Sequence, residues 1–319
     1  MERSDLLMGT VVDQRIYGGG LIRSRRIAAK VAREIDRLEK LWSVFRDESE
    51  ISRIGQAAGG RPVKVHSDTL KVLQRAKELS RKCGGRFDIT AAPLTELWRK
   101  ATMEGVPPAA EAIALQLALV DWNSLDLDRP GYVYLPRKGQ RIDLGGIGKG
   151  FAADRAEEIY RRNGVSSGLI NLGGNVMTIG GRKDGGPWRV GIRYPDVGHT
   201  ALAGYVEVRD AAVVSSGGYE HYFDYHGTRY HHILDPTTGQ PAATNVLGVS
   251  VVASSATDAD ALATAVCVMG LKAGLEFLEQ LPKVEGLIFD RSGEIHLTTG
   301  LQGSFFSLDT IERYPTFQV

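Results

Sequence analysis

An aspartate and a threonine stand four residues apart in the segment 254–270, SSATDADALATAVCVMG. In a helix, residues i and i+4 share one face, so the side chains of Asp260 and Thr264 are expected to point the same way. A carboxylate and a hydroxyl are hard oxygen ligands that suit Mg²⁺, an ion that usually keeps waters and substrate phosphates in its shell. The alternative is structural: Asp258 or Asp260 serves the helix N-terminus and Thr264 faces the core. This segment alone leaves both interpretations open.

A second candidate is the glycine-rich segment 142–154, IDLGGIGKGFAAD, which contains Lys149. It is not a Walker A loop, because that loop needs serine or threonine after the lysine and a glycine follows here. The dinucleotide fingerprint G-x-G-x-x-A begins at Gly148, but the next strand carries Asn171 where that fold needs an acidic residue. A glycine-rich turn before a helix can expose backbone N–H groups to an anion, with Lys149 as a charge partner. A tight strand-to-helix connection with a solvated lysine explains the segment equally well.

Histidines and a proline-interrupted segment supply further candidates. Four histidines lie between His221 and His232, but their spacing matches no standard zinc template. His232 stands beside the aspartate–proline turn of YHHILDPTTGQP. Asp88 and Thr90 precede a proline break in GGRFDITAAPLTELW, a segment that indicates little by itself.

Several elements must position these residues. Apolar residues at helical spacing predict an amphipathic helix over 21–45, and Ser67 or Asp68 is the expected cap of a second helix that stops at Gly84–Gly85. Further predicted elements are a strand near 8–18, a helix over 109–119, an antiparallel meander over 124–146, a helix over about 151–162, strands near 168–174, 187–195, 203–208 and 211–218, a strand and helix over 246–270, and a hairpin over 286–299. Strands and helices interleave without regular βαβ alternation, which favours an α+β fold over a doubly wound sheet. No linker stands out, so we expect a single domain with two lobes, mixed or antiparallel sheets and flanking helices.

Composition excludes several classes of protein. The 319 residues contain 39 Lys and Arg against 38 Asp and Glu, a balance that gives no support to nucleic-acid binding. No apolar run approaches the roughly 18 residues of a membrane span, and no secretory signal is recognisable. Only Cys83 and Cys267 occur, and Cys267 is expected to be a packed thiol.

Taken in order, eight segments resemble the signature blocks of the ApbE-type FAD:protein FMN transferases. They are MGT, SEISR, GGRFDITAAPLTELW, RIDLGGIGKGFAADRA, LINLGGNV, SSGGYEHYF, YHHILDPTTGQP and ATDADALATAVCVMG, and together they extend over about residues 7–271. The combination of DLGGIGKG with HILDPTTG and a downstream D-x-x-x-T is specific. The chain is identified by this resemblance as a member of the family, with residues 1–319 as a single transferase domain and an FAD cleft between its lobes.

The resemblance also implies roles for particular residues. The implied catalytic residues are His232, Lys149 and Asp260. The implied flavin-contacting and FAD-binding positions are Met8, Phe45, Arg86, Phe87, Asp88, Asp143, Lys149 and His232. The implied metal ligands are Asp260, Thr264 and backbone carbonyls at or near Gly146 and Ala263. With these residues, Lys149 and its glycine turn are expected to face the FAD pyrophosphate.

The implied reaction is a Mg²⁺-dependent transfer of FMN from FAD to a threonine or serine hydroxyl of an acceptor protein, which releases AMP. The metal ion and Lys149 would offset negative charge on the phosphates. His232 would act as the base or would only position the substrate, and both roles stay open. The expected partner is an acceptor flavoprotein, either a redox-complex subunit or a reductase domain, with no nucleic acid and no membrane span.

The chain departs from the family pattern at three places. Phe45 stands where many members have a tyrosine near the flavin, and Gly146 and Gly148 stand where many have alanine. The first block begins too early to leave room for a signal, which favours a cytoplasmic member or a mature fragment. Alternatives are an FAD pyrophosphatase with water as acceptor, a non-catalytic flavin carrier, and a nicotinamide-dependent oxidoreductase. The intact Asp260–Thr264 pair argues against a carrier, and the missing strand-end acid argues against the oxidoreductase.

Overall fold

The computed structural model describes residues 1–195 and 201–308. The helices in these ranges are α1 (Leu21–Trp42), α2 (Glu50–Gln56), α3 (Ser67–Lys82), α4 (Ala92–Glu104), α5 (Ala110–Leu117), α6 (Gly148–Arg162), α7 (Ala256–Met269) and α8 (Leu271–Glu279). The strands are β1 (Glu2–Leu7), β2 (Thr10–Tyr17), β3 (Val63–Lys64), β4 (Tyr132–Val133), β5 (Ser167–Leu172), β6 (Asn175–Gly180), β7 (Trp188–Arg193), β8 (Leu202–Val208), β9 (Ala212–Gly217), β10 (Tyr222–Tyr225), β11 (Thr228–His231), β12 (Val246–Ala253), β13 (Val284–Asp290), β14 (Ile295–Leu297) and β15 (Phe305–Ser307).

A large antiparallel sheet is the centre of the molecule. Within the described residues its strand order is β1-β2-β5-β6-β9-β12-β13-β14, and every neighbouring pair in it is antiparallel. A smaller sheet has the order β15-β8-β7. This arrangement confirms the predicted α+β fold with antiparallel sheets and flanking helices.

The large sheet is covered on both faces because its strands alternate two sets of apolar side chains. Ile170 and Val214 face the main core, which α1, α3, α6 and α7 complete. Leu169 and Val213 face the opposite side and pack with residues of β7 and β8 such as Val190. The helical layer and the small sheet therefore lie on opposite faces of the large sheet.

A separate small core joins α4, α5 and the β10–β11 hairpin, and we call it the satellite core. Its buried residues are Leu94, Trp98, Ala101 and Ile113. Trp98 stacks on Tyr230 with ring centroids 5.6 Å apart, and its indole N–H donates a 2.8 Å hydrogen bond to the backbone oxygen of Gly239. These contacts hold the HILDPTTG segment, which follows β11, against α4.

Most predicted elements are confirmed, but the meander over 124–146 is wrong. That segment contains only the two-residue strand β4, which pairs with β3, and isolated bridges such as Asp126 with Tyr134. Its proline and glycine turns follow one another too closely for strands to extend. Helix α6 begins at Gly148, three residues before the predicted start, and α1 ends at Trp42.

Strand β6 and one helix cap were not predicted from the sequence pattern. Strands β5 and β6 are joined through Gly173 and Gly174, whose φ values of 57° and 97° suit a two-residue hairpin turn. A Gly-Gly pair between apolar runs is a hairpin signal that could have revealed β6. The cap of α3 is His66, whose ring nitrogen accepts from the N–H of Asp68, so the predicted caps Ser67 and Asp68 are wrong.

The two cysteines are free and buried, as expected for packed thiols. Burial raises the pKa of the Cys267 thiol to about 12. This thiol is therefore uncharged at neutral pH and acts as a small apolar side chain.

Candidate active site

The first turns of α6 and α7 pack directly against each other at Gly150. A Cβ atom at this position would lie 2.2 Å from the backbone oxygen of Ala256 and 2.8 Å from Cβ of Asp260. The backbone N–H of Gly150 donates a 2.9 Å hydrogen bond to Oδ2 of Asp260, a residue that is 3% exposed. The glycine therefore lets α6 begin against α7, with the carboxylate of Asp260 between the two helices.

Asp154 makes the reciprocal contact from α6 to α7. Its carboxylate accepts hydrogen bonds from the N–H groups of Ala256 (2.7 Å) and Thr257 (2.9 Å) and from the hydroxyl of Ser255 (2.8 Å). The first N–H groups of a helix have no partner inside that helix, so a carboxylate placed there satisfies them and favours the helix dipole. The sequence pattern did not indicate this role, because it depends on a helix far along the chain.

The structure does not support a capping role for Asp258 or Asp260 in their own helix. The cap of α7 is Ser255, whose hydroxyl accepts from the N–H of Asp258 at 3.3 Å. The carboxylate of Asp258 instead accepts a 2.7 Å hydrogen bond from Arg75 in α3. Asp260 is directed toward α6, away from the N-terminus of its own helix.

Thr264 and Gly146 lie next to each other beside Asp260. The hydroxyl of Thr264 donates a 3.3 Å hydrogen bond to the backbone oxygen of Asp260. A Cβ atom at Gly146 would lie 3.3 Å from that hydroxyl oxygen and 3.2 Å from Cε2 of Phe87. Ala263 is fully buried in the middle of α7, where a backbone carbonyl normally accepts from the N–H four residues later.

These oxygen atoms fit the ligand chemistry of Mg²⁺. Asp260 would supply one carboxylate and Thr264 a hydroxyl, and the backbone of Gly146 lies next to that hydroxyl. Among the described residues, the second carboxylate oxygen of Asp260 takes part in no hydrogen bond. A single carboxylate leaves charge and coordination positions that phosphate oxygens and waters would fill.

Another group of potential metal ligands lies at the β13–β14 turn. The ligand atoms of Asp290, Glu294 and His296 are within 4.8 Å of one another. This group shares no residue with the predicted magnesium site. In this second group, the carboxylate of Asp290 already accepts hydrogen bonds from Ser292 and His296.

The glycine turn before α6 uses four of its backbone N–H groups in contacts within the protein. The N–H groups of Gly145, Ile147, Gly148 and Gly150 all donate hydrogen bonds within the protein. The side chain of Lys149 is exposed at its tip and donates a 3.2 Å hydrogen bond to the backbone oxygen of Gly145. Lys149 is the positively charged side chain that this turn offers to an anion.

Asp143 connects the same turn to the segment at residues 86–90. Its carboxylate accepts the 2.8 Å hydrogen bond from the N–H of Gly145, and its own N–H donates to the backbone oxygen of Ile89 at 2.8 Å. Burial raises the pKa of Asp143, while this hydrogen bond and the charge of Lys149 oppose the rise. The contacts bring residues 86–90 and the glycine turn together.

The three predicted flavin contacts at 86–88 point in different directions. Arg86 donates a 3.1 Å hydrogen bond to Asp235 in the HILDPTTG segment. Phe87 is 5% exposed and lies against Gly146.

Asp88, the third of these residues, is hydrogen-bonded to the protein backbone. Its carboxylate accepts from the N–H of Thr90 at 2.7 Å and from the N–H of Trp122 at 3.0 Å. Burial raises its pKa, and the hydrogen bonds from Thr90 and Trp122 oppose that rise. These bonds give Asp88 the contacts of a residue that fixes the local backbone.

His232 lies where the satellite core approaches Lys149. Its ring is exposed to solvent and is held by a 3.3 Å contact between Nδ1 and the backbone oxygen of His221. Loss of hydration, together with positive charge at His221, His231 and Lys149, lowers the pKa of His232 to about 4, while the contact with the backbone oxygen of His221 opposes the change.

The protonation state of His232 follows from this environment. At neutral pH a group with a pKa near 4 is uncharged, so one ring nitrogen carries a proton and the other is an acceptor. Because Nδ1 faces a carbonyl oxygen, the proton is assigned to Nδ1 and the free lone pair to Nε2.

Met8 and Phe45 lie at the end of α1 nearest the glycine turn. Met8 has a φ of 51°, and its N–H donates a 2.7 Å hydrogen bond to Glu39. Its methyl carbon would lie 3.8 Å from a Cβ at Gly148. Phe45 is 79% exposed, and the guanidinium of Arg99 lies 5.0 Å from its ring centroid.

Comparison with known proteins identifies the family. The ApbE family model matches residues 8–288. An FAD:protein FMN transferase from Treponema pallidum (strain Nichols) is 34% identical over 94% of this chain and 87% of its own length. Another from Klebsiella pneumoniae (strain 342) is 33% identical over 96% of this chain and 94% of its own length. The chain belongs to the ApbE family.

Solved structures agree with this assignment. The ApbE protein of Thermotoga maritima has a TM-score of 0.86 and 31% identity, covering 95% of this chain and 98% of its own. The flavin transferase ApbE from Vibrio cholerae has a TM-score of 0.84 and 27% identity, with the same coverage of 95% and 98%. The two curated relatives and the Vibrio cholerae protein are named as transferases, and the chain is an enzyme of this class.

Among the described helices, none combines the length and the apolar character needed to cross a bilayer.

Proposed function

We propose that this chain transfers FMN from FAD to the hydroxyl of a threonine or serine in an acceptor protein and releases AMP. The proposal is carried by the arrangement of Lys149, His232, Asp260 and Thr264 around the turn at residues 145–150. The names of the relatives support the same reaction. We also propose that residues 1–319 form one transferase domain and that FAD binds between the main core and the satellite core.

The residues that would hold Mg²⁺ are Asp260, Thr264 and the backbone carbonyls at Gly146 and Ala263. Bound there, the ion would supply positive charge to the phosphate oxygens of FAD. Lys149, whose Nζ lies 3.2 Å from the backbone oxygen of Gly145, would add a second positive charge. Phe87, Met8 and Phe45 would supply apolar contacts for the flavin, while Arg86, Asp88 and Asp143 would hold the surrounding segments in place.

His232 is proposed to be the general base. Its Nε2 would accept the proton of the acceptor hydroxyl as that oxygen attacks the phosphorus on the riboflavin side of FAD. A new phosphodiester bond forms while the bond from this phosphorus to the bridging oxygen breaks, and AMP leaves with the bonding electrons. The uncharged state of the ring at neutral pH makes His232 competent for this proton transfer.

The proposed partner is an acceptor flavoprotein that carries a threonine or serine flavinylation motif, either a redox-complex subunit or a reductase domain. The cytoplasmic location expected from the sequence stays a prediction.

The deciding experiment compares Asp260→Asn with Asp258→Asn in the same helix. Asparagine at 260 keeps an oxygen that can accept from the N–H of Gly150, but it removes the charge that would bind the metal ion. Since even residues that only support metal ligands contribute about 10–100-fold, we expect a loss of at least about 100-fold in transfer rate. Asp258→Asn removes the same charge from a residue that faces Arg75 and should retain transfer.

The assay contains FAD, Mg²⁺ and an acceptor domain, and follows AMP release together with flavin fluorescence of the acceptor on a denaturing gel. A fluorescent acceptor band that is lost only in Asp260→Asn supports the transferase. AMP and free FMN without a band would replace it with the pyrophosphatase. FAD binding with neither product would leave a flavin carrier.

A further inference from the structure

A cationic groove lies along the exposed face of α1, and nothing in the proposed reaction uses it. Its volume is about 860 Å³, and its charged lining residues are Arg23, Arg26, Lys30, Arg33 and Arg162. The first four are spaced by three, four and three residues, so they occupy one stripe of the helix. Val31 and Ile35 lie on the other side of α1 and are buried in the main core.

Most of the charge of this groove is not neutralised by nearby acids, although Arg162 pairs with Glu158 at 3.3 Å. Arg26, Lys30 and Arg33 are exposed, and no carboxylate among the described residues lies within 4.0 Å of them. Glu34 is held by Arg37 at 2.8 Å and by Arg155 at 3.1 Å. The positive potential of the groove is therefore available to an external anion.

One large aliphatic side chain accompanies these cations. Ile22 is 71% exposed at the first turn of α1. Ile22 precedes Arg26 by one helical turn and lies on the same face. A soluble polyanion would contact the cations alone, whereas the boundary of a lipid bilayer accepts both anionic contacts and an apolar side chain.

We propose that this face of α1 binds the surface of an anionic phospholipid bilayer. The cations contact lipid phosphates and carboxylates, and the side chain of Ile22 enters the boundary between head groups and acyl chains. This is a peripheral association, and it requires no spanning helix.

The position of the groove leaves the candidate active site open. Arg162 is at the C-terminal end of α6, and Gly148 is at its N-terminal end beside the glycine turn. A helix of this length places the two ends about 21 Å apart. Antiparallel packing of α1 on α6 brings Arg23 to the backbone oxygen of Asn163 at 2.6 Å. A protein bound by this groove would still accept FAD and an acceptor at the opposite end.

The test is co-sedimentation of the full chain with vesicles of phosphatidylcholine alone or of phosphatidylcholine mixed with phosphatidylserine. We expect binding only to the mixed vesicles, and we expect it to weaken as salt concentration rises. The variant Arg26→Glu/Lys30→Glu/Arg33→Glu should bind at least about tenfold more weakly, since each cation near an anionic surface contributes to attraction. Ile22→Ser should weaken binding about threefold or more without any change in charge, because an aliphatic side chain no longer enters the bilayer.

The matched control is Lys71→Glu/Lys183→Glu/Lys272→Glu, which changes the same net charge at exposed positions outside the groove. This control should bind vesicles nearly as the unmodified chain does. Thermal melting checks that all variants are folded, and FMN transfer to a soluble acceptor should be the same in the groove variants as in the unmodified chain.

Absence of binding to phosphatidylserine vesicles would overturn the proposal, as would an equal loss in the control. Binding of a duplex oligonucleotide or an acidic peptide in preference to vesicles, with no effect of Ile22→Ser, would also overturn it in favour of a soluble polyanion. None of these outcomes depends on transferase activity, so the two proposals fail separately.

Discussion

At the scale of single residues, Gly150 and Asp260 show how the candidate site is built. The backbone of Ala256 occupies the space that a side chain at position 150 would need, so only glycine fits there. The N–H of Gly150 donates to one oxygen of the Asp260 carboxylate and holds it in position. In the reverse direction, the carboxylate of Asp154 in α6 accepts a hydrogen bond from the N–H of Ala256 at the start of α7. Asp154 and Asp260 lie in separate segments of the sequence, yet together they fix the position of α6 relative to α7.

Replacing Gly150 with alanine should destabilise the protein and abolish FMN transfer. The added Cβ would lie 2.2 Å from a backbone oxygen that cannot rotate away, so the helices must separate. Overpacking of this kind costs about 1–3 kcal/mol or more in free energy of unfolding. Chemical denaturation measures the cost, and Gly303→Ala, where no atom lies within 4 Å, is the control. Equal stability of the two variants would contradict the tight contact.

His232 should titrate well below an ordinary histidine. Its pKa of about 4 means that a pH–rate profile should show no loss of the base between pH 7 and 5 and should fall as pH approaches 4. A lowered histidine pKa also means that the folded state binds fewer protons than the unfolded state below about pH 6.5, so this group reduces stability as pH falls toward 4.

Resonances of the His232 ring in a nuclear magnetic resonance titration give its pKa directly. Lys149→Gln removes a positive charge that lowers this pKa, so the midpoint should rise in the variant. Lys71→Gln, at an exposed position in α3, is the control. A midpoint near 6.5 in the unmodified chain would refute the assigned environment.

At the scale of elements, α1 and α6 pack against each other through contacts at several positions along the two helices. Glu34 in α1 pairs with Arg155 in α6, and Trp42 meets Phe151 edge-on with ring centroids 5.3 Å apart. Arg37 extends the ion network to Asp68 in α3. These contacts hold the N-terminus of α6, and with it the glycine turn, against the end of α1.

Glu34→Gln should weaken this attachment in a pH-dependent way. The hydrogen bond from Arg37 is the main cause that lowers the pKa of Glu34 to about 2. The lowered pKa stabilises the folded state above about pH 4.5, and this contribution is lost as pH falls from 4.5 toward 2. The variant should therefore lose about 2 kcal/mol of unfolding free energy at pH 7 and converge with the unmodified chain near pH 2.

Urea denaturation at a series of pH values measures this difference. Asp36→Asn is the control, because its 2.7 Å pair with Lys40 is exposed to solvent and should contribute less than about 0.5 kcal/mol. A pH-independent difference for Glu34→Gln would show that charge is not the cause.

At the scale of the whole molecule, two cores of unequal size meet at the candidate site. The main core supplies the glycine turn, Asp260 and Thr264, and the satellite core supplies His232 through the segment after β11. Arg86 connects the two by its contact with Asp235. The satellite core has few buried apolar residues, so it should open locally more readily than the sheet.

Trp98→Phe should loosen the satellite core alone. The substitution removes the 2.8 Å hydrogen bond from the indole to Gly239, a loss of about 1 kcal/mol, so amides of residues 233–240 should exchange about fivefold faster. Hydrogen exchange followed by mass spectrometry measures this rate. Trp188→Phe in β7 is the control and should leave these amides unchanged; equal acceleration at β5 and β6 would show that the two cores open as one.

The sequence alone determined the elements whose pattern is local. The spacing of Ile27, Val31 and Ile35 defines α1, and the four-residue spacing of Asp260 and Thr264 places both on one face of α7. The motif blocks identified the family, because a motif is recognised from residue types and their spacing along the chain and requires no knowledge of distant contacts. The Gly173–Gly174 turn carried a local signal for β6 as well.

Only the tertiary structure decided what depends on contacts between distant segments. The hydrogen bond from Gly150 to Asp260 spans 110 residues, and the caps that Asp154 makes on α7 span a similar distance. The same is true of His232, whose lowered pKa arises from neighbours gathered by the fold rather than from its own sequence context. Local spacing limits which side chains can share a face, but packing determines which oxygen, N–H or charge each of them meets.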